Sequence, residues 1–185
     1  MKMTRAFLAF GVLPAILIAL LIPSGCTRSE KSPAVDDSIR RSLDQAGLKT
    51  VSVSQDRDKG VVTLSGNVPS DNDKQQAESI ARALASGQVV ANQIAVLPPG
   101  GENDAKTVND DLDKGIKENL DAALVHNRLD KGINYDVKNA VVTLKGTVSS
   151  SSMRTQVEKV AAGVPNVRQV VNELEVKNQK ASSTR

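Results

Sequence analysis

The chain has 185 residues, 24 basic and 21 acidic side chains for a net charge of +3, and one Cys. That length suits one ordinary domain or two small ones, and a single thiol excludes an intramolecular disulfide framework or a Cys-rich metal site. Tyr135 is the only aromatic beyond Phe7 and Phe10, and His126 is the only His, so neither aromatic base-stacking platforms nor a His-based metal site is available and nucleic acid is not expected as a partner.

Residues 1–25 read as an export signal. Lys2 and Arg5 open it, Ala6–Ile22 is uncharged and almost wholly apolar, and Pro23-Ser24-Gly25-Cys26 follows. This is the basic, apolar, small-residue order of a secretory leader. The apolar run of 17 residues would reach about 25 Å as a helix at ~1.5 Å per residue, short of a usual membrane span. Cys after Ser-Gly resembles a bacterial lipobox, with Pro23 standing where an aliphatic residue is usual. That resemblance implies acylation of Cys26 and removal of the leader; the alternative is an uncleaved anchor holding an incidental Cys. Either way Lys2 and Arg5 keep the N-terminus inside and the rest outside the cytoplasmic membrane. Losing residues 1–25 leaves 22 basic and 21 acidic side chains, a net charge of +1. Neither a nucleic-acid footprint nor strong net attraction to an anionic membrane is expected from that balance.

The remainder is duplicated. Gly60-Val61-Val62-Thr63-Leu64-Ser65-Gly66-Asn67-Val68 recurs 80 residues later as Ala140-Val141-Val142-Thr143-Leu144-Lys145-Gly146-Thr147-Val148. Val90 to Val96 meets Val170 to Val176 at the same offset. The expected organisation is a leader over 1–25, a tether over 26–33, modules over 34–96 and 110–177, a Pro/Gly-rich linker over 97–109 and a disordered tail over 178–185.

Each copy reads as helix, strand, strand, helix, strand. In the first, Ser32-Pro33 suits a helix start, with Ser as N-cap and Pro at the first helical position. Val35, Ile39 and Leu43 fall on one face and Gly47 is a natural stop. The second copy carries Leu112, Ile116, Leu120 and Leu124, ending at His126-Asn127. Short strands around Val51/Val53 and Ile133/Tyr135/Val137 come next. Turns at Asp56–Gly60 and Lys138-Asn139 lead into strands with Val62, Leu64 and Val68, or Val142, Leu144 and Val148, on one face. Ser70 with Asp73 suggests a capping box for a helix bearing Ala77, Ile80, Ala81 and Leu84; its twin bears Met153, Val157, Val160, Ala161 and Val164. The last strands alternate through Val90, Ile94, Val96 and Val170, Leu174, Val176. The fold class is therefore α+β: in each module, two helices cover one face of a three-stranded sheet.

These residues resemble the BON domain. The resemblance rests on the aliphatic run ending Leu-x-Gly-x-Val, the following helix with paired Ala, and Val-x-Asn-x-aliphatic-x-Val. Copy two also has Gly163-Val164-Pro165-Asn166-Val167 at the helix exit, whereas copy one has Ala83 and then Gly87. A lipobox before two such modules resembles dual-BON outer-membrane lipoproteins. It implies a non-enzymatic envelope protein anchored to the outer membrane through Cys26 and facing the periplasm. Its implied partners are anionic phospholipid or envelope proteins; no cofactor or metal is implied. Thr27 rather than Asp after Cys26 favours the outer membrane by the same analogy. The alternatives are a soluble periplasmic osmotic-stress protein with chaperone-like binding, or a small ion- or ligand-binding module. The resemblance places any lipid contact on the first helix of copy two, which has no Trp, Tyr or Phe.

Other candidates read as structure. Gly66 and Gly146 suggest a bulge or a close backbone approach beneath a helix. Asn92 and Asn172 share parity with Ile94 and Leu174, so each should point to the covered face and bond nearby backbone. Asp56-x-Asp58-x-Gly60 and Asp111-x-Asp113-x-Gly115 look like calcium-loop openings, but Asn67 and Ala122 stand where the bidentate Glu is needed. They read as a hairpin turn and a helix start. His126, near a helix end, has no nucleophile motif beside it. Ser149–Ser152 reads as a loop and N-cap, and Lys114 and Lys117 among Asp110, Asp111, Asp113 and Glu118 as a solvated face. No catalytic residue is assigned.

Overall fold

A computed structural model describes residues 31–177. Cys26, the leader and the tail from 178 lie outside the described residues. The first module contains α1 (Asp36–Gln45), β1 (Val51–Asp56), β2 (Val61–Val68), α2 (Asp71–Leu84), β3 (Val89–Asn92) and β4 (Ala95–Val96). The second repeats it as α3 (Glu102–His126), β5 (Ile133–Lys138), β6 (Val141–Val148), α4 (Ser151–Ala162), β7 (Gln169–Asn172) and β8 (Glu175–Val176). The α+β order expected from the duplicated pattern is present in both.

In each sheet the long strand is central. β1 runs antiparallel to β2, while β3 and β4 lie parallel to it on the other side. β5, β7 and β8 pair with β6 in the same way. The last strand thus occupies one edge position in two pieces. The break follows Asn92 or Asn172, where a side-chain carbonyl takes over as acceptor for the N–H of Ile94 (3.3 Å) or Leu174 (3.2 Å).

Alternation along β2 puts Val62, Leu64 and Val68 under α1 and α2, in a core with Ile39, Leu43, Ala77, Ala81 and Ile94. The second core repeats it with Val142, Leu144, Val148, Ile116, Leu120, Val157, Ala161 and Leu174. Paired Ala on α2, and Val157 with Ala161 on α4, bring each helix close to its sheet. Ser70 and Ser150 cap these helices, accepting the N–H of Asp73 and Met153 at 3.2 Å.

The helix starts differ from expectation. Val35, not Ser32, is the N-cap of α1. Ser32 instead pairs with Arg57, accepting from Nε at 2.7 Å and donating its N–H at 2.9 Å. Gln55 fixes the segment before the helix: its Oε1 accepts the Val35 N–H at 3.0 Å and its Nε2 donates to the Pro33 carbonyl at 2.6 Å. A strand side chain holds the chain ahead of the helix, so the local Ser-Pro signal is overridden. α3 begins at Glu102 after Gly101, so residues 102–109 of the expected linker are helical. Asp111 and Asp113 consequently lie well inside α3 and do not start it.

The two hairpins close differently. Asp56 Oδ1 accepts the N–H groups of Asp58 and Lys59, both at 3.0 Å, as the turn reading required. In module two the turn is Asn139-Ala140, with φ of 49° and 65°, the left-handed pair of a two-residue hairpin. Asp113 holds it from α3, its carboxylate accepting the Asn139 N–H at 2.7 Å and the Ala140 N–H at 2.8 Å. Asp113 is thus a structural acceptor and not part of a solvated face.

Helices cover only one face of each sheet. The opposite faces meet each other: Val61 and Ala91 pack with Val141 and Val171 in a third core, with Val89 at its margin. β3 lies against β7 there.

Candidate functional site

The sheet-to-sheet contact brings the rim of one module beside the turn of the other. A cleft of about 240 Å³ lies there, lined by Lys74, Glu78 and Arg82 from α2, by Asn139 from the β5–β6 turn, and by Arg168 and Gln169 before and at the start of β7. A second hollow of about 140 Å³ continues it past Asp71, Lys74 and Arg168 to Ala95. Polar contacts fix the boundary. Gln169 Nε2 donates to the Val90 carbonyl at 2.7 Å, and its Oε1 accepts the Asn92 N–H at 3.2 Å. Asn139 Nδ2 donates to the Gln93 carbonyl at 2.8 Å, and Gln93 Nε2 reaches Thr143 Oγ1 at 3.5 Å.

Lys74 is half-buried and donates through Nζ to the Ile94 carbonyl at 2.7 Å. Burial, and secondarily the Arg168 guanidinium, hold its ammonium below the usual lysine range, while Asp71, Glu78 and Asp113 pull the other way. Glu78 is engaged with Arg82 at 2.6 Å and with Asn92 Nδ2 at 2.8 Å.

Asn92 and Asn172 point under the helices as expected, and each also donates to a helix glutamate, Glu78 or Glu158. Gly66 and Gly146 do mark a close approach, but to backbone and not to a helix. A Cβ on either would lie 2.2 Å from the carbonyl oxygen of Thr50 or Gly132. His126 ends α3. Tyr135 reaches the Lys117 carbonyl at 3.4 Å, and burial, with Asp121 beside it, pushes its phenol up to about 12. Among the described residues no group of three or more His, Cys, Asp or Glu converges on a metal position, and no helix is long and apolar enough to cross a membrane. Sequence reasoning missed the cleft cations Lys74, Arg82 and Arg168. Lys74 and Arg82 lie on α2 of the first copy and Arg168 in the second, and only the docking brings Arg168 to the other two.

Fold and cleft together define a protein of two duplicated α+β modules joined through a shared inter-sheet core. The chain belongs to the BON domain family, whose pattern matches residues 33–98 and again 112–178. It is 25% identical over 141 residues to Osmotically-inducible protein Y of Escherichia coli (strain K12), covering 73% of this chain and 67% of that one. Two solved structures of CdsD, a structural protein of the type III secretion system of Chlamydia trachomatis, align over 76% of this chain. They cover 66% and 90% of theirs, at 12% and 14% identity and TM-scores of 0.31 and 0.32. Superpositions that loose bear on neither fold nor function.

Proposed function

We propose that this is a non-enzymatic cell-envelope protein, held at the periplasmic face of the outer membrane by acyl chains on Cys26. Its two modules contact phospholipid headgroups or envelope proteins and so support outer-membrane integrity. The supporting observation is the mutual docking of the uncovered sheet faces. It takes Val61, Ala91, Val141 and Val171 out of solvent and leaves a charged cleft outward, an exterior suited to reversible contact. More than one acyl chain is needed for stable anchoring, at ~0.8 kcal/mol per buried CH₂. Intact mass of the exported protein tests the anchor: loss of residues 1–25 with added acyl mass is expected, and an unmodified thiol rejects it. Co-sedimentation of residues 27–185 with anionic and with neutral liposomes tests headgroup contact.

The similarity to an osmotically inducible protein favours a second reading, a soluble periplasmic stress protein. In that case wild type and Cys26→Ser partition alike into the aqueous phase of a detergent separation. A chaperone-like version needs a contiguous apolar patch. The exposed large hydrophobics among the described residues are Val108 and Val125, about 25 Å apart along α3 at 1.5 Å per residue.

A further inference from the structure

We propose that the inter-module cleft binds a phosphate group, held between Lys74 of the first module and Arg168 of the second. The duplicated halves differ at this place. Positions 74, 78 and 92 carry Lys, Glu and Asn, and positions 154, 158 and 172 carry Arg, Glu and Asn. The same helix-to-strand bonding is built on both sets. The repeat therefore presents two related sets of side chains, one on each α2-type helix, and the cleft lies beside the first.

Their charges differ. In the second module Glu175 is ion-paired across the boundary with Lys59 of the first. Eighty residues before Arg168 stands Gln88, which is occupied with Gln55 and the Pro33 carbonyl. That side satisfies itself. In the first module the residue matching Glu175 is Ala95, and Ala95 lines the same hollow as Lys74 and Arg168. The carboxylate present on one side is missing on the other, and an arginine has been added. The guanidinium of Arg168 makes no hydrogen bond or ion pair among the described residues.

The nearby carboxylates do not fill the gap. Glu78 is engaged with Arg82 and Asn92, and Asp113 with the turn N–H groups of Asn139 and Ala140. Asp71 alone remains on the rim, which keeps binding weak. An ammonium and a guanidinium facing one opening suit a tetrahedral oxyanion, which accepts from both at once. Binding there relieves the repulsion between the two cations and compensates the desolvation of Lys74.

A free phosphate and a phospholipid headgroup share this chemistry, and the test separates them. The full chain in neutral detergent is titrated with inorganic phosphate and, separately, with dihexanoyl-phosphatidylglycerol, following backbone amide shifts. Saturable shifts at Asn139, Ala140, Arg168 and Gln169 are expected. Ala95→Glu, which places a carboxylate as Glu175 does, and Arg168→Gln, which copies Gln88, should each weaken binding at least five-fold while leaving shifts elsewhere unchanged. Arg168 is exposed, so its variant keeps the fold even where Ala95→Glu disturbs the strand. Response to phosphate identifies a free-anion site; response to the lipid alone, with the same sensitivity to both variants, identifies a headgroup site. Absence of both responses, or shifts spread over surface lysines and unaltered by Arg168→Gln, overturns the proposal. None of these outcomes depends on Cys26, so the anchor stands or falls separately.

Discussion

The side-chain amide of Asn92 donates to Glu78 Oε2 at 2.8 Å, tying the break in the last strand to the middle of the helix above it. Asn172 and Glu158 repeat the bond at 2.9 Å. Asn92 is 5% exposed, so its truncation strands the Ile94 N–H away from water. Asn92→Ala should cost about 1–3 kcal/mol, and Asn172→Ala, at the more open site, the lower end of that range. Urea unfolding monitored by circular dichroism measures both. Equal, negligible losses would show that water replaces the amide.

Gly66 and Gly146 hold φ of 106° and 120°, backbone that side-chain-bearing residues rarely adopt. The added Cβ would also meet a carbonyl oxygen at 2.2 Å. Strain of about 1–3 kcal/mol from the dihedral alone adds to that clash. Gly66→Ala and Gly146→Ala are each expected to lower the urea midpoint sharply. Alanine at Gly47, where φ is 81° but nothing lies within 4 Å, should cost only the dihedral part.

Val171 is fully buried against Ala91, Val61 and Val141 from both modules. An unpaired carboxylate there loses several kcal/mol of solvation. Because Val171 lies outside the helix-covered cores, Val171→Asp should part the modules before it unfolds them. One urea transition in the wild type becomes two, and the radius of gyration from X-ray scattering rises. An unchanged single transition would mean that the inter-sheet core contributes little to cohesion.

Glu173 is confined near Lys145, Lys59 and Asp56, and burial pushes its carboxyl above the usual glutamate range. A raised folded-state value favours the protonated form. Its contribution is therefore fully present below the ordinary glutamate value and is lost as pH rises through the folded one. At neutral pH the charge costs stability. The first module carries Gln93 at the matching position, donating to Thr143. Glu173→Gln should stabilise by about 1 kcal/mol at pH 7, the net worth of one hydrogen bond, and the gain should disappear near pH 4. Thermal unfolding across that range decides it.

Much of each module was readable along the chain, because its causes are local and periodic. Alternation through Val62, Leu64 and Val68 placed the covered face of β2, and the stripes on α1 and α3 placed their partners. Ser70 and Ser150 announced their helices, and parity placed Asn92 beneath a helix. Local signals failed where a distant group competed for the same atoms. Gln55 took over the start of α1 from Ser32. Asp113 bonded a turn 26 residues away when its neighbours suggested only a charged surface.

The sequence by itself determined that the protein is duplicated, that each copy is α+β, and which aliphatic residues form its two cores, since repeat and periodicity are properties of the chain's order. Only the tertiary structure decided that the bare sheet faces cover each other, and hence that Lys74 and Arg168 share a cleft with no carboxylate at position 95. Burial of Val61, Ala91, Val141 and Val171 drives that docking. It joins surfaces from separate copies, and such proximity leaves no periodic trace in either one.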